Sequence, residues 1–136
     1  LKYVMPLCIA LCFSVLAVHA GEISVDPNAP SYHNARYGFS LAWPPGQYAV
    51  AESDNGDGIT VTDGKGLTLR AWGALEQDVF DLSLEEFFKR AQSADAQYAK
   101  INREKRWYVV SGMREKSIYY RKSFYTDEAV VTLDIE

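Results

Sequence analysis

The C-terminal part of the chain decides the fold, and residues 116–136 have the sequence KSIYYRKSFYTDEAVVTLDIE. Residues 116–125 and 129–136 are rich in β-branched and aromatic side chains, which favour strands. Between them, Thr126-Asp127-Glu128 is a polar triplet typical of a turn. In residues 130–135 one alternating set is wholly apolar, whereas the other becomes polar toward its end. The stretch therefore predicts two neighbouring antiparallel strands.

The first of these strands has aromatic side chains in both of its alternating sets. Ile118, Tyr120 and Phe124 belong to one set, and Tyr119 and Tyr125 belong to the other. Successive side chains of a strand point to opposite faces of the sheet, so the two sets cannot face one core. Either a second layer covers the side with Tyr119 and Tyr125, or these two tyrosines contribute to an exposed recognition surface.

Short runs of similar composition occur upstream of this stretch. They cover residues 37–43, 48–52, 59–62, 67–72, 99–103 and 107–112. Several are separated by prolines or by Asx-Gly pairs, which favour tight turns. Strands before and after one helix predict an α+β fold over residues 32–136, with an antiparallel sheet of about six strands and the main helix packed on a face.

The main helix is predicted over residues 83–97. The Ser83 hydroxyl can accept a hydrogen bond from the free amides of the first turn, and Glu86 can reach back to the amide of Ser83. Apolar residues recur at the spacing i, i+3, i+4, i+7, and they are Leu84, Phe87, Phe88 and Ala91. This single apolar stripe predicts that the helix lies on the sheet.

The N-terminal residues are typical of an export signal. Lys2 precedes an almost wholly apolar run from Val4 to Val18, and Val18-His19-Ala20 forms a small-x-small cleavage site. We therefore predict a signal peptide over residues 1–20, a flexible leader over residues 21–31, and a periplasmic or secreted mature protein without stable membrane insertion. The alternative interpretations of the first segment are a buried strand and an uncleaved anchor.

Removal of this signal limits the chemistry of the remaining chain. Cys8, Cys12 and His19 leave with it, so no thiol remains and His33 is the single histidine. Disulfides, thiolate metal sites and a multi-histidine zinc site within one chain are thereby excluded, and we predict no cofactor. Loss of Lys2 leaves 13 basic against 18 acidic residues, a net charge of −5, which argues against a nucleic-acid partner.

Several turn and strand motifs support a resemblance to known proteins. They are Arg36–Leu41 with Pro44, the Glu52–Gly58 loop, the Asp63-Gly64-Lys65 turn, Trp72-Gly73 and Trp107–Gly112. With them the chain resembles a family of small secreted bacterial proteins of unassigned function. Over most of residues 32–136 the order of elements is similar to the PsbP-like fold, named for an extrinsic subunit of photosystem II. The resemblance implies a periplasmic setting and an assembly or docking role, and it transfers no catalytic residue.

The acidic loop after residue 52 partly matches a calcium-binding loop. Ser53, Asn55 and Asp57 place oxygen ligands at alternate positions, as in the first half of such a loop. The twelfth position is Gly64 instead of a bidentate glutamate. The alternative interpretation is a pair of Asx-Gly turns, which explains the same residues without a metal. Calcium binding at these three residues is therefore a weak candidate, and we predict no metal site.

Candidate catalytic groups are few. His33 lies near Ser31 but has no orienting partner at a recognisable spacing. Asp54 and Asp57 could form a glycosidase-type pair, but both belong to one exposed turn and lack the rigid support of a cleft. We therefore predict that the protein is not an enzyme.

Charge is distributed unevenly along the chain. Residues 21–99 contain 5 basic and 12 acidic groups, whereas residues 100–122 contain 8 basic and 2 acidic groups. The basic segment is interleaved with aromatic side chains, a composition suited to binding an acidic protein surface or an anionic polymer. The candidate binding residues are Arg103, Arg106, Trp107, Tyr119, Arg121, Lys122 and Tyr125. The alternative is that successive strands simply alternate a core face with a solvated basic face.

These observations predict a non-catalytic binding or assembly module that docks on a protein or another anionic partner through a basic-aromatic sheet surface. The alternative function is a small hydrolase or carbohydrate-binding domain with a pocket formed by tyrosines and the acidic loop. A deep pocket with convergent carboxylates would favour the alternative, and a flat basic-aromatic face would favour docking.

Overall fold

The computed structural model of the protein describes residues 27–75 and 83–136. The strands in these ranges are β1 (Ser31–Asn34), β2 (Phe39–Ala42), β3 (Ala49–Glu52), β4 (Gly58–Thr62), β5 (Thr68–Leu75), β6 (Ala96–Asn102), β7 (Trp107–Arg114), β8 (Ser117–Tyr125) and β9 (Ala129–Ile135). The helix of the described residues, α1 (Leu84–Ala91), lies between β5 and β6. No helix in this part of the chain has the length and apolarity needed to cross a membrane. The predicted signal peptide lies outside the described residues.

The strands form one large antiparallel sheet and one small hairpin. The large sheet has seven strands in the order β3-β4-β5-β9-β8-β7-β6, and β1 pairs only with β2 in a separate two-stranded sheet. The predicted α+β fold with an antiparallel sheet is confirmed, but the expected number of about six strands is wrong. The sequence of β1 is Ser-Tyr-His-Asn, which has no apolar alternation, so its pairing with β2 could not be predicted from period alone.

Two cores lie on opposite faces of the large sheet. On one face the β1–β2 hairpin places Phe39 and Leu41 against strands β4, β5 and β9, including Val61 and Val131. On the other face α1 covers a second core that contains Val130. Strand β9 therefore contributes adjacent valines to both cores, which explains why both of its alternating sets begin apolar.

Helix α1 begins as predicted. The Ser83 Oγ accepts a hydrogen bond from the Glu86 amide, and the Glu86 carboxylate accepts one from the Ser83 amide, so the capping box is complete. The predicted apolar stripe packs against the second core, and its members are Leu84, Phe87, Phe88 and Ala91.

The helix ends at Ala91, so the predicted end at residue 97 is wrong. The chain after α1 is held by contacts with distant residues. The Asp95 carboxylate accepts hydrogen bonds from Arg114 and Tyr119, and Ala96 already pairs with β7. These contacts draw the chain into the sheet before another helical turn can form.

Candidate binding surface

Alternation along β8 sends the predicted binding residues to opposite faces of the sheet. In the register with β9, the set formed by Tyr119, Arg121 and Tyr125 points to the same side as Val130, which packs beneath α1. We call this side the helix face. Lys122 belongs to the other set and points away from α1. We call the side of β6, β7 and β8 that carries Lys122 the open face.

The open face consists of rows of side chains that cross the three strands. The pairing of β6 with β7 and of β7 with β8 defines these rows. They are an aromatic row of Asn102, Trp107 and Phe124; a lysine row of Lys100, Val109 and Lys122; a tyrosine row of Tyr98, Ser111 and Tyr120; and an end row of Met113 and Ile118. Two lysines therefore lie between two rows of aromatic rings.

Large apolar side chains of this face are exposed. The exposed fractions are 51% for Tyr98, 48% for Met113 and 69% for Ile118. Neither of the two cores, as far as the described residues define them, includes a side chain of the open face. Within the described residues, neither core covers β6, β7 and β8 on the side opposite α1, and Tyr98, Met113 and Ile118 are the most exposed large apolar groups there.

Lys122 lies over two aromatic rings of its own face. Its Nζ is 4.9 Å from the ring centroid of Trp107 and 4.7 Å from that of Phe124. Lys100 approaches the same indole from the other side, at 5.9 Å. Burial lowers the pKa of Lys122, because the charged ammonium loses hydration. No carboxylate within residues 27–75 or 83–136 forms an ion pair with either lysine.

The predicted arginines, in contrast, are paired within the molecule. Arg103 contacts Glu85 at 2.8 Å, and Arg106 contacts Asp127 at 2.7 Å. Arg121 donates two hydrogen bonds of 2.6 Å to the two carboxylate oxygens of Asp134, which raises the pKa of its guanidinium. Much of the positive charge counted in the sequence is therefore compensated locally.

The predicted tyrosines belong to the helix face. Tyr125 is buried, and its ring meets Phe87 edge-on at a centroid distance of 5.6 Å. Tyr119 is partly buried beneath the guanidinium of Arg114, at 4.8 Å, and its hydroxyl donates to Asp95. A second layer therefore covers the side with Tyr119 and Tyr125. The other set of β8 ranges from exposed at Ile118 to partly buried at Tyr120, Lys122 and Phe124.

The structure thus brings together Trp107 and Lys122 and separates them from Tyr119, Arg121 and Tyr125. Arg103 lies in the β6–β7 turn with Arg106. The other aromatic, charged and exposed apolar members of the open face were not among the predicted residues, and they are Tyr98, Lys100, Met113, Ile118, Tyr120 and Phe124. A signal for three of them was present, because Ile118, Tyr120 and Phe124 share the alternating set of Lys122.

The acidic loop is closed by its own hydrogen bonds. The Ser53 hydroxyl donates to Asp57 Oδ1 at 2.7 Å, and the Asn55 amide donates to Asp57 Oδ2 at 2.8 Å. Both carboxylate oxygens of Asp57 are therefore occupied within the loop. In the described part of the chain no three acidic or histidine side chains converge as a metal site would require. The geometry matches the interpretation as Asx-type turns.

The single histidine of the described residues lies on the β1–β2 hairpin. The hydrogen-bond partner of His33 is Ser40 and not the nearby Ser31. His33 Nδ1 lies 2.9 Å from the Oγ of Ser40, which is opposite His33 in the pairing of β1 with β2. The imidazole is exposed, and this contact joins two neighbouring polar side chains on the outer side of the hairpin.

Two small hollows flank Arg121 on the helix side of the sheet. One measures about 180 Å³ and is lined in part by Ala91, Tyr119 and Asp134, and the other measures about 150 Å³ and lies beside Trp72. Both are smaller than the roughly 300 Å³ at which small-molecule sites usually begin. The acidic loop contributes to neither of them.

No family model, curated protein or solved structure matches the chain.

Proposed function

We propose that the protein is a non-catalytic binding or assembly module that docks on a protein partner through the open face. The observation that carries the proposal is Lys122, a partly buried cation whose ammonium lies over the rings of Trp107 and Phe124 and which has no carboxylate partner among the described residues. A carboxylate of a partner would restore a favourable environment for this charge.

The composition of the open face supports the same function. Tyr, Trp and Met are enriched in protein interfaces, and the open face contains all three. Tyr and Trp also bury large areas at a small cost in conformational entropy. Burial of Tyr98, Met113 and Ile118 by a partner would remove exposed apolar area from water. The surface thus combines an apolar driving force with a local preference for negative charge.

The setting that we propose is the periplasm or the outside of the cell. It follows from the predicted signal peptide, and the PsbP-like resemblance, whose members often serve in assembly or docking, supports the same role. The paired arginines of the β6–β7 turn are not required for docking, since Glu85 and Asp127 already compensate their charge.

The test is a comparison of two matched double charge reversals. Lys100→Glu with Lys122→Glu changes the open face, and Arg103→Glu with Arg106→Glu makes the same change of net charge in the adjacent turn. Each variant and the wild type are used as bait in extracts of the native periplasm or medium, and the captured proteins are quantified by mass spectrometry. We expect the lysine variant to lose a partner that the arginine variant retains.

If the two variants recover every partner equally, the open face is excluded as the docking surface. Circular dichroism and melting temperatures of both variants establish that each is folded before the comparison is made. Loss of the same partner from both variants would also contradict the proposal, since it would show that net charge decides binding.

A further inference from the structure

We propose that the partner segment binds the open face as an extended strand with an acidic residue at its centre and an apolar residue two positions to either side. This inference rests on the proposed docking function and adds the chemistry of the partner. Its basis is the spacing of the aromatic, lysine and tyrosine rows.

The rows repeat at the period of an extended chain. Neighbouring rows are two residues apart along each strand, which corresponds to about 6.8 Å. An extended partner has the same distance between side chains i and i+2 on one side of its backbone. A segment aligned with β7 can therefore place three successive same-side residues over the aromatic, lysine and tyrosine rows.

The perpendicular direction offers no such match. Lys100 and Lys122 lie on either side of Val109 in one row, so their strands are separated by about 9.6 Å. An extended chain that crosses the strands would place same-side residues at about 6.8 Å, between the lysines and not over both. The spacing thus favours a partner that runs along the strands, as in the aligned packing of two sheets.

The dimensions of the open face favour a segment over a whole domain. Three strands of about eight residues cover about 27 Å by 14 Å, or about 400 Å². A standard interface buries about 800 Å² on each partner, so this face is about half as large. An extended segment fits such an area, and we expect a transient complex.

The distribution of charge determines the residue pattern of the segment. The positive groups of the open face belong to the lysine row, and the rows on either side of it present mainly aromatic rings. A polyanion with a charge on every unit would place charges over Trp107 and Tyr120, where burial without a counterion is unfavourable. One acidic residue between two apolar residues avoids this cost.

The test uses two synthetic peptides of identical composition. The first has the core Phe-Thr-Glu-Thr-Leu, and the second has the core Glu-Thr-Phe-Thr-Leu, each between Gly-Ser ends. Each is titrated into the ¹⁵N-labelled protein while amide and indole N–H signals are followed by NMR. We expect saturable shifts at the Trp107 indole and along β6–β8, with at least about five-fold tighter binding of the first peptide.

The indole of Trp72 is the internal control, because Trp72 lies on the helix face. Its ring centroid is 5.9 Å from the guanidinium carbon of Arg121. Its signal should not move. Lys122→Met should weaken binding of the first peptide about five-fold and reduce its advantage over the second, because the variant keeps the aliphatic stem and loses the charge. Arg103→Met should leave both affinities unchanged.

Equal affinity for the two peptides would overturn this inference, and so would shifts confined to the helix face. Tighter binding of a polygalacturonate oligomer than of the first peptide would overturn it in favour of an anionic polysaccharide. The two proposals can fail separately. If a partner is lost only from the double lysine variant but the two peptides bind equally well, docking through the open face is retained and the extended acidic segment is rejected.

Discussion

The two faces of β6, β7 and β8 are formed by alternate residues of the same strands, but they differ in whether their cationic side chains are paired with carboxylates. On the helix face Arg121 is bound to Asp134, and Arg114 is bound to Asp95. On the open face Lys100 and Lys122 lie against aromatic rings without an acidic partner among the described residues. The charge available for binding therefore depends on which face of the strand a basic side chain occupies and on whether it is paired, and not on the number of basic residues in a segment.

The largest difference between the faces is expected at neighbouring positions of β7. Gly112 belongs to the helix face, and a Cβ placed on it would lie 2.2 Å from the carbonyl oxygen of Asp95, in the segment between α1 and β6. We expect Gly112→Ala to destabilise the fold by about 3 kcal/mol through overpacking against backbone. Ser111→Ala on the open face should change the free energy of unfolding by less than about 0.5 kcal/mol. Urea denaturation measures both, and equal effects would contradict the assignment of the faces.

A second pair of variants removes one charged group from each face. Asp134→Asn replaces one of the two acceptor oxygens of Arg121 with an amide group that cannot accept, and it leaves a partly buried guanidinium without its counterion. We expect a loss of about 1–2 kcal/mol. Lys122→Met removes an unpaired charge and keeps the aliphatic stem, so its stability should be unchanged or slightly higher. A loss at Lys122→Met as large as that at Asp134→Asn, measured by urea denaturation, would show that Lys122 has an internal partner.

A third test weakens α1, which covers the helix face, at its N-cap residue Ser83. Ser83→Ala removes the side-chain acceptor of the Glu86 amide, and we expect a loss of about 1 kcal/mol. Hydrogen exchange should show the change mainly as faster exchange of the amides of α1, while amides of β8 keep their protection. Uniform loss of protection in both elements would contradict a helix that opens separately from the sheet.

The smallest expected effect is a pH dependence that isolates Lys122. Burial lowers the pKa of this ammonium in the folded protein below its usual value of 10.5, so the unfolded chain binds more protons between the two values. The wild type should therefore gain stability relative to Lys122→Met as the pH rises through the lowered pKa toward 10.5. The measurement compares urea midpoints of the two proteins across this range. An unchanged difference would show that Lys122 is fully hydrated.

The sequence predicted the elements that depend on local patterns. The capping box at Ser83 and the alternation of β8 both arise from neighbouring residues, and both are confirmed. The end of α1 could not be predicted, because it depends on contacts between Asp95 and residues of β7 and β8.

The candidate site was predicted only in part for the same reason. Alternation indicated two differently oriented sets in β8, but the set that faces outward is decided by where α1 packs. The pairing of Arg103 with Glu85 and of Arg106 with Asp127 joins residues 18 and 21 positions apart, so no local pattern shows that these charges are compensated. Trp107 and Lys122 are the predicted residues that remain in the proposed surface.

The position of β9 has a consequence for how the protein is made. Residues 129–135 form a central strand that joins β3-β4-β5 to β6-β7-β8, although every other strand precedes them along the chain. During synthesis or translocation the earlier strands emerge first. The edges of β5 and β8 that pair with β9 then remain unpaired until residues 129–135 have also emerged. We therefore expect the sheet to assemble late, and before that the edges of β5 and β8 are the places where a chaperone would protect the chain.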